Sequence, residues 1–450
     1  MFIICSALVL LSVYVGIGEY QADKKAIDDD LARDALAMQP PNTYSQLLAG
    51  ALKVYRAPRP LGSLVRGVED AAGRVSLTNN TEASLGESKY QSNPLTAVFG
   101  VFDLMFIVKM VLGLFAILLV HDTICGEKEK GTLKLSLSNS VPRDRLLLGK
   151  AVGGYISLVI PLLFPLLLSL VYLSLHPGMV LAGEEWLRIG LIFLMFLLYL
   201  SVFFCLGLLV SSLTARSSTS LLILLSIWCV WGMVVPKASV IIAGMLRPVP
   251  APNEIYTQKI TSNAQINRDI TQEFEPRLSG VIERNPAGTG GRILDMNAYQ
   301  AIQQEMTEER DRRRLENTAR IDRGYQMKKD AQAALAQNIS RISPASALTF
   351  GATALARTGV DDYNRFLKAA MDYKPVIAAW LTTNPDLRDE RGVMKQFDPD
   401  TLAGMPQPAI EYEILSRSFA RILPDLISMI AMIALLTGGA YFAFIRCDVR

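Results

Sequence analysis

The chain has 450 residues, of which 51% are hydrophobic and 19% charged, and its mean hydropathy is positive at +0.28. Soluble globular chains usually carry about 25% charged residues, so this composition argues against an ordinary soluble protein. The formal net charge of +3 is too small to indicate a nucleic-acid partner, and none is expected.

Six apolar runs, poor in charged residues, alternate with polar stretches. A helix needs about 20 apolar residues to cross a bilayer. Backbone groups in lipid must bond internally, and the alternating ten-residue strands of a barrel are absent from the sequence, so these runs are predicted to be helices. The predicted spans are residues 1–18, 97–120, 151–175, 187–212, 219–243 and 422–445.

The distribution of Lys and Arg predicts the orientation. Residues 121–150 contain six of them, whereas residues 176–185 contain none. Basic residues concentrate in short cytoplasmic loops. We therefore expect a bacterial cytoplasmic (inner) membrane protein with both termini in the cytoplasm, and with loops 121–150 and 213–218 and the tail 446–450 on that side.

Two long stretches, residues 19–96 and 244–421, are then extracytoplasmic, because long segments translocate regardless of charge. Neither contains a cysteine, so neither is held by a disulfide. Residues 298–340 are predicted to be a long helix, with a polar spacer as the alternative, and further helices are predicted after Pro344. The predicted fold is an all-α membrane protein with six transmembrane helices and a large, mainly helical extracytoplasmic domain formed by two insertions.

The first span has an alternative interpretation as a signal peptide. No basic residue precedes it, and residues 18–22 form a poor cleavage site, which favours a retained helix. A basic start is usual for a cytoplasmic N-terminus. Its absence indicates either that the native chain extends upstream or that later loops orient this span.

Residues 121–150 are the most informative segment. A charged elbow, Gly126-Glu-Lys-Glu-Lys-Gly131, follows the second span. The pattern then predicts a short helix beginning near Gly131, a stop at Pro142 and a second short amphipathic stretch that leads back into the membrane. A membrane protein driven by a soluble partner needs a short, rigid, charged element of this kind.

This segment resembles the ABC-2 type permease family, whose pattern is Glu-x-Glu-x-Gly-Thr-Leu, a Leu/Ser run, Pro-x-x-Arg and Gly-Lys. Residues 343–366 resemble the outer region of a subgroup with a long extracytoplasmic loop. The family's basic amphipathic helix before the first span has no counterpart here. The residues that carry the pattern are Glu127, Glu129, Gly131, Thr132, Leu133, Pro142, Arg145, Gly149 and Lys150.

The resemblance implies a membrane-spanning subunit of an ATP-driven ABC transporter, of exporter type. It implies that residues 127–138 contact a separate cytoplasmic ABC ATPase dimer and transmit its closure. Six spans cannot easily enclose a path alone, so a second permease subunit, identical or homologous, is also expected. Contacts with membrane lipid and with an extracytoplasmic protein are further expectations.

The chain is not predicted to be an enzyme. Gly126 and Gly131 have the spacing of a phosphate-binding loop, but the Lys that reaches the phosphates is missing and a membrane helix precedes them. There are only two histidines and no metal-ligand spacing. We expect no cofactor or metal on this chain; ATP and Mg belong to the partner ATPase.

Four residues inside the predicted spans are candidates for a role in movement or transport. A charge at the bilayer centre costs about 2.5–3.5 kcal/mol, so it usually faces a bundle interior or cavity. Lys109 either lines a transport path or pairs with another helix, and Asp103 either takes part in transport or reaches water. Pro161 and Pro165, one turn apart, are hinge candidates or ordinary structural prolines.

Three functions remain open from the sequence. The first is export. The second is a mechanical coupler, in which ATP hydrolysis moves the outer domain to act on an extracytoplasmic protein or lipoprotein and nothing crosses. The third is a ligand sensor without an ATPase. A cavity between paired spans that reaches Lys109 favours transport, whereas a sealed interface favours the coupler.

Overall fold

The computed structural model describes most of the chain. The described residues are 2–37, 52–78, 83–85, 102–138, 142–176, 179, 181–284, 292–294, 296–384, 387 and 404–446. Most of the predicted tail, 446–450, lies outside them.

Among the described residues, six helices are long and apolar enough to cross a membrane, which confirms the predicted all-α membrane fold. They are numbered here as spans 1 to 6. Their bounds are Ile3–Asp34, Leu104–Glu129, Arg143–Leu175, Gly183–Leu213, Ser217–Leu246 and Leu415–Ile445.

Three of these spans differ from regular straight helices. Span 1 belongs to one helix, Phe2–Ala37, that continues well past its apolar part. Spans 2 and 5 each contain a π-helical segment, Ile107–Leu112 and Val230–Val234. Such segments widen one turn of a helix and frequently occur at functional sites.

The remaining elements are mostly helical. Antiparallel strands form a three-stranded sheet and a two-stranded ribbon. The strands are Leu52–Tyr55, Val75–Thr78 and Ala83–Leu85, then Ile282–Arg284 and Arg292–Leu294. The further helices are Cys125–Glu129 at the end of span 2, Thr132–Ser138, Pro252–Gly280, Met296–Ser340, Pro344–Ala356 and Val360–Thr383, with a 3-10 turn at Pro60–Ser63.

The chain divides into two compact units. One comprises Met1–Pro236 and Arg341–Arg450, and the other comprises Lys237–Ser340. In the second unit, helices Pro252–Gly280 and Met296–Ser340 pack against each other. Buried Asn317 donates to Ser262 Oγ at 2.8 Å within this pair. The 45-residue helix agrees with the predicted long helix over 298–340.

Span 4 is the centre of the first unit. Its apolar window is 61% buried, whereas that of span 5 is only 11% buried. Span 4 packs against span 6, span 2 and the helix Pro344–Ala356, which we call the inserted helix. The inserted helix is rich in small residues and most of its residues are buried. A side chain in place of its Gly351 would clash with Met195 of span 4.

The inserted helix begins near the middle of the bundle. The hydroxyl of Ser343, its N-cap residue, donates to the Trp231 carbonyl of span 5 at 2.5 Å. Trp231 lies 14 residues, or about 21 Å, from the start of that span. At the other end of the helix, the Leu355 carbonyl accepts from Arg188, near the start of span 4. A helix of 13 residues is too short to span, so it was predicted only as part of the long second insertion.

Candidate functional site

Two short helices join spans 2 and 3 on one side of the bundle, which we call the loop side. The first, Cys125–Glu129, ends at Lys130, and the second, Thr132–Ser138, begins after Gly131. Gly131 has φ +71°, in the left-handed region that glycine adopts without a Cβ clash. The glycine therefore lets the chain change direction between the two helices.

The first short helix is fixed to the end of span 4. The Ser211 hydroxyl accepts hydrogen bonds from the backbone N–H groups of Ile124 and Cys125, at 3.0 and 3.1 Å. Ser211 is fully buried, so this contact is shielded from water. A single side chain thus satisfies two of the amide donors that the start of a helix leaves open.

Lys128 and Glu129 bind the turn between spans 4 and 5. The Lys128 ammonium donates to the carbonyl of Ser212, in the last turn of span 4, and to that of Thr214, the residue that caps it. The Glu129 carboxylate accepts from the backbone N–H of Ser217 at 3.0 Å, at the start of span 5. Each charge complements the partial charge of the helix end that it contacts.

Glu127 and Lys150 form an ion pair between the first short helix and span 3, with 2.6 Å between Oε2 and Nζ. Lys150 also donates to the Thr123 carbonyl at 2.7 Å. The Thr132 hydroxyl donates to the Glu127 carbonyl at 3.4 Å, across the Gly131 bend. These contacts bring together the sequence-predicted residues at the two ends of the segment.

Leu133 is the apolar anchor of the second short helix, and it is 1% exposed. Its neighbours form a separate small core that joins this helix to spans 2, 3 and 6. The members of this core are Ile124, Leu133, Leu147 and Phe444.

Pro142 ends the connection in an extended conformation, and the helix of span 3 begins at once with Arg143. The expected second short stretch is therefore absent as a separate element: residues 143–150 are the first two turns of span 3. Arg143 donates to the Ile445 carbonyl at 2.7 Å, at the end of span 6. Arg145 and Gly149 are exposed, and a side chain at Gly149 would meet open space.

One surface of the helix pair is left open. Lys130, Thr132 and Lys134 are exposed, and Leu135 is 70% exposed. We call Lys130, Thr132, Lys134 and Leu135 the loop face. Leu135 is thus an exposed apolar side chain next to an exposed lysine, on an element fixed from behind, and this surface is open to contact by another protein.

Asp103 caps the helix of span 2. Its carboxylate accepts from the Phe106 N–H at 2.7 Å and from the Arg66 N–H at 3.3 Å, and it is 7% exposed. An aspartate that accepts a backbone N–H three residues on is a standard N-cap. The structure therefore gives Asp103 a local role at the helix start.

Lys109 lies five residues, about 8 Å, into the helix of span 2. Its ammonium donates to the Thr349 hydroxyl of the inserted helix at 3.2 Å. The Lys109 carbonyl accepts from the Tyr199 hydroxyl of span 4 at 2.7 Å. Lys109 therefore faces the bundle interior, at the contact of three elements.

Pro161 and Pro165 lie inside the helix of span 3, which runs without a break from Arg143 to Leu175. Pro165 is buried and Pro161 is half-buried. Each removes one backbone hydrogen bond from the helix, and a hinge role for them stays a prediction.

Comparison with known proteins identifies the family. A family model described as "ABC-2 family transporter protein" matches residues 1–449. The chain belongs to this family. No curated protein matches the chain.

Membership in the ABC-2 family makes the chain a permease, the membrane-spanning component of an ABC transporter. Such components generally carry no catalysis themselves, and the family implies an ABC ATPase as partner. The segment that suggested this family from the sequence is also the segment that contacts spans 3, 4 and 5 on the loop side.

Arg188 is a residue of this permease that sequence reasoning missed. It lies in span 4 with no exposed surface, and its guanidinium donates to Glu184 at 2.8 and 3.0 Å. It also donates to the Leu355 carbonyl at 3.0 Å and to the Glu413 carbonyl at 2.8 Å. It thereby ties the inserted helix to spans 4 and 6 on the side opposite the loop side.

A second charge cluster lies beside the polar half of the first helix, Phe2–Ala37. Arg66 pairs with Asp70 through two hydrogen bonds of 2.5 and 2.6 Å and with Glu19 of the first helix. Burial raises the pKa of Glu69 above its ordinary value, although Arg74 and other cations oppose this effect. The cluster fixes residues 60–74 against the first helix.

Proposed function

We propose that this permease is the membrane subunit of an ATP-driven exporter, energised by a separate ABC ATPase that binds the loop face. The loop side is then cytoplasmic, and ATP and Mg are bound by the partner. The observation that carries the proposal is the loop face itself: an exposed surface on two short helices that are fixed from behind by several spans.

The contacts behind the loop face support transmission of force. A push on the helix pair reaches the end of span 4 through Lys128 and the start of span 5 through Glu129. It reaches span 3 through Glu127 and span 6 through the small core around Leu133. Movement of the ATPase would therefore be distributed over four spans rather than absorbed by a flexible loop.

The test is co-purification of the ATPase in mild detergent. We expect Leu135→Asp combined with Lys134→Glu to leave the permease inserted but to remove most of the bound ATPase, because a buried charge and a reversed charge oppose docking. The control is Leu175→Asp, the same change at a leucine that is 76% exposed at the other end of span 3. Equal ATPase recovery from the double variant and the wild type would contradict the proposal.

We further infer that two permease chains form the transporter, as a homodimer or with a homologous subunit. Span 5 supports this inference, since its apolar window is only 11% buried within one chain.

The mechanical coupler remains a second candidate, favoured by the pair of long helices in the second unit. Met296–Ser340 has 45 residues, which corresponds to about 68 Å of helix. Arg277 and Glu305 form two hydrogen bonds of 2.7 and 2.8 Å between the helices. Replacing residues 256–332 by a Gly/Ser linker distinguishes the candidates: an exporter keeps ATPase activity that responds to exported substrate, and a coupler loses its extracytoplasmic protein partner.

A further inference from the structure

Spans 2, 4 and 5 meet at Gly113, one turn after Lys109. A Cβ at Gly113 would lie 3.0 Å from the Tyr199 hydroxyl and 3.3 Å from Trp228 Nε1. The missing side chain therefore lets the polar ends of two aromatic residues approach the backbone of span 2. Residues four apart on a helix lie on nearly the same face, which puts Lys109 beside this contact.

Hydrogen-bond donors outnumber acceptors in this region. The Lys109 ammonium has one neutral partner among the described residues, the Thr349 hydroxyl, which itself donates to the Ala345 carbonyl at 2.8 Å. The Tyr199 hydroxyl already donates to the Lys109 carbonyl. Trp228 Nε1 is buried and has no acceptor among the described residues. Buried polar groups normally form hydrogen bonds, so a buried donor without an acceptor indicates that a ligand or another molecule can supply one.

Asp103 attracts Lys109 electrostatically but forms no ion pair with it. Asp103 lies six residues earlier, and its two oxygens accept from the backbone N–H groups of Phe106 and Arg66. Within the described residues Lys109 has no ion pair. A charged side chain inside a membrane bundle usually pairs with another group or marks the path of a ligand or ion.

The inserted helix adds to the positive potential. Its first residue follows Ser343, which contacts Trp231, three residues after Trp228 on span 5. The positive end of the helix dipole thus lies about one turn of span 5 from Trp228. Pro344 has no N–H and the Ser346 N–H donates to Ser343, so the helix start contributes its dipole rather than free donors. Discontinuous helices with inward N-termini bind anionic substrate groups in several membrane transporters.

We propose that Lys109 and Trp228, together with the start of the inserted helix, bind an anionic group, a phosphate or a carboxylate, of the molecule that this permease exports. This inference deepens the proposed export function and rests on it. The π-helical segment around Lys109 provides a turn that can tighten or widen as the group enters, because a π-turn holds one more residue than an α-turn.

The test is equilibrium binding of radiolabelled dodecyl phosphate to the full-length chain in phosphatidylcholine nanodiscs, without ATPase. We expect saturable binding that neutral dodecyl maltoside does not displace. Lys109→Gln should weaken it about tenfold or more, as expected for loss of a charge-assisted hydrogen bond. Lys109→Arg should retain it and Trp228→Phe should weaken it several-fold. The control Lys237→Gln removes an exposed lysine of span 5 and should leave binding unchanged.

Labelled inorganic phosphate separates the two sources of the anion. If only dodecyl phosphate binds, the ligand of the site is an anionic amphiphile. If both probes bind equally, the ligand is a free anion. Absence of saturable binding of either probe, or equal binding by wild type and Lys109→Gln, overturns the proposal. Co-purification of the ATPase is measured on the same variants, so that failure of this site is distinguished from failure of the proposed coupling. If Lys109→Gln does not fold, the other two variants decide. Weaker binding by Trp228→Phe together with retained binding by Lys109→Arg supports the proposal, and unchanged binding by Trp228→Phe contradicts it.

Discussion

The guanidinium of Arg188 is a fully buried charge with several hydrogen-bond partners. It has no exposed surface and donates to a carboxylate, to two backbone carbonyls and to the Ser418 hydroxyl. Removing one member of a buried network leaves the other members unpaired, which costs more than the network itself contributes.

We therefore expect Arg188→Leu to destabilise the protein by on the order of 3 kcal/mol. The measurement is the thermal midpoint of the detergent-solubilised chain. The matched control is Arg417→Leu, the same change at an exposed position near the start of span 6, which should leave the midpoint nearly unchanged. Equal thermal midpoints for the two variants would show that the hydrogen bonds of Arg188 contribute little to stability.

Gly16 is a second residue whose identity is dictated by packing. A Cβ at this position would clash with the backbone carbonyl of Ser63, where the 3-10 turn Pro60–Ser63 meets the first helix. We expect Gly16→Ala to cost about 1–3 kcal/mol, the usual range for overpacking. Gly18→Ala, two residues on, meets open space and should be neutral or slightly stabilising. Thermal unfolding of the two variants checks this, and a neutral Gly16→Ala would contradict it.

Some residue roles were predictable and others were not. A Lys inside an apolar run is visible in the sequence, so Lys109 was a candidate from the start. Arg188 stands near the start of an apolar run and resembles an ordinary flanking charge. Its partners Leu355 and Glu413 lie 167 and 225 residues away, and no local pattern reveals them.

The bend at Gly131 decides the shape of the loop element. Its φ of +71° is unfavourable for residues with a Cβ, although Asn tolerates it better than most. We expect Gly131→Val to turn the second short helix so that its Leu133 leaves the small core with Ile124 and Leu147, and to reduce ATPase binding several-fold. Gly131→Asn should retain more binding, and Gly149→Ala, which meets open space, should retain all of it. Equal ATPase recovery with valine and asparagine would refute a conformational role for this glycine.

The ion pair between Glu127 and Lys150 links the first short helix to span 3. Its side chains are 35% and 16% exposed, so we expect a coupling energy of only about 1 kcal/mol. Glu127→Lys should lower the rate of ATP hydrolysis by the assembled transporter. Adding Lys150→Glu should recover part of that rate, because it restores the ion pair with the charges exchanged. A double-mutant cycle on the ATPase rate measures this coupling. Additive effects of the two changes would show that the pair does not matter for transmission.

At the scale of elements, helix existence was easier to predict than helix placement. The short helix near Gly131 and the helices after Pro344 follow from local composition and turn residues. The helix Pro252–Gly280 was missed because Pro248 and Pro250 precede it closely and a third proline, Pro252, is its first residue, a position where proline is tolerated. The burial of the inserted helix among the spans depends on contacts with spans 4 and 6 that its own residues do not encode.

At the scale of the whole molecule, the number of spans and the family follow from the hydropathy pattern and one loop. The hydropathy pattern predicts the number of spans because each span must be apolar over its full length. It cannot rank the spans by burial, since lipid and protein neighbours are equally apolar. The structure supplies that ranking, with span 4 central and span 5 peripheral within one chain.

The exposed face of span 5 predicts how two chains pair. Leu222, Ser226, Cys229 and Met233 are exposed and repeat at intervals of four, three and four residues, which places them on one face. Small side chains in the middle of such a face let two helices approach closely. We expect native mass spectrometry in mild detergent to find two permease chains in each ATPase-bound complex.

Ser226→Phe combined with Cys229→Phe tests this face. The bulky rings should prevent close approach and shift the permease toward single chains, while the fold of each chain persists because the face contributes little to its own core. The control is Leu194→Phe on span 4, a residue that is 45% exposed and lies outside this face. A double variant that pairs as well as the wild type would place the contact between the two chains elsewhere. In that case the low burial of span 5 would reflect contact with lipid alone.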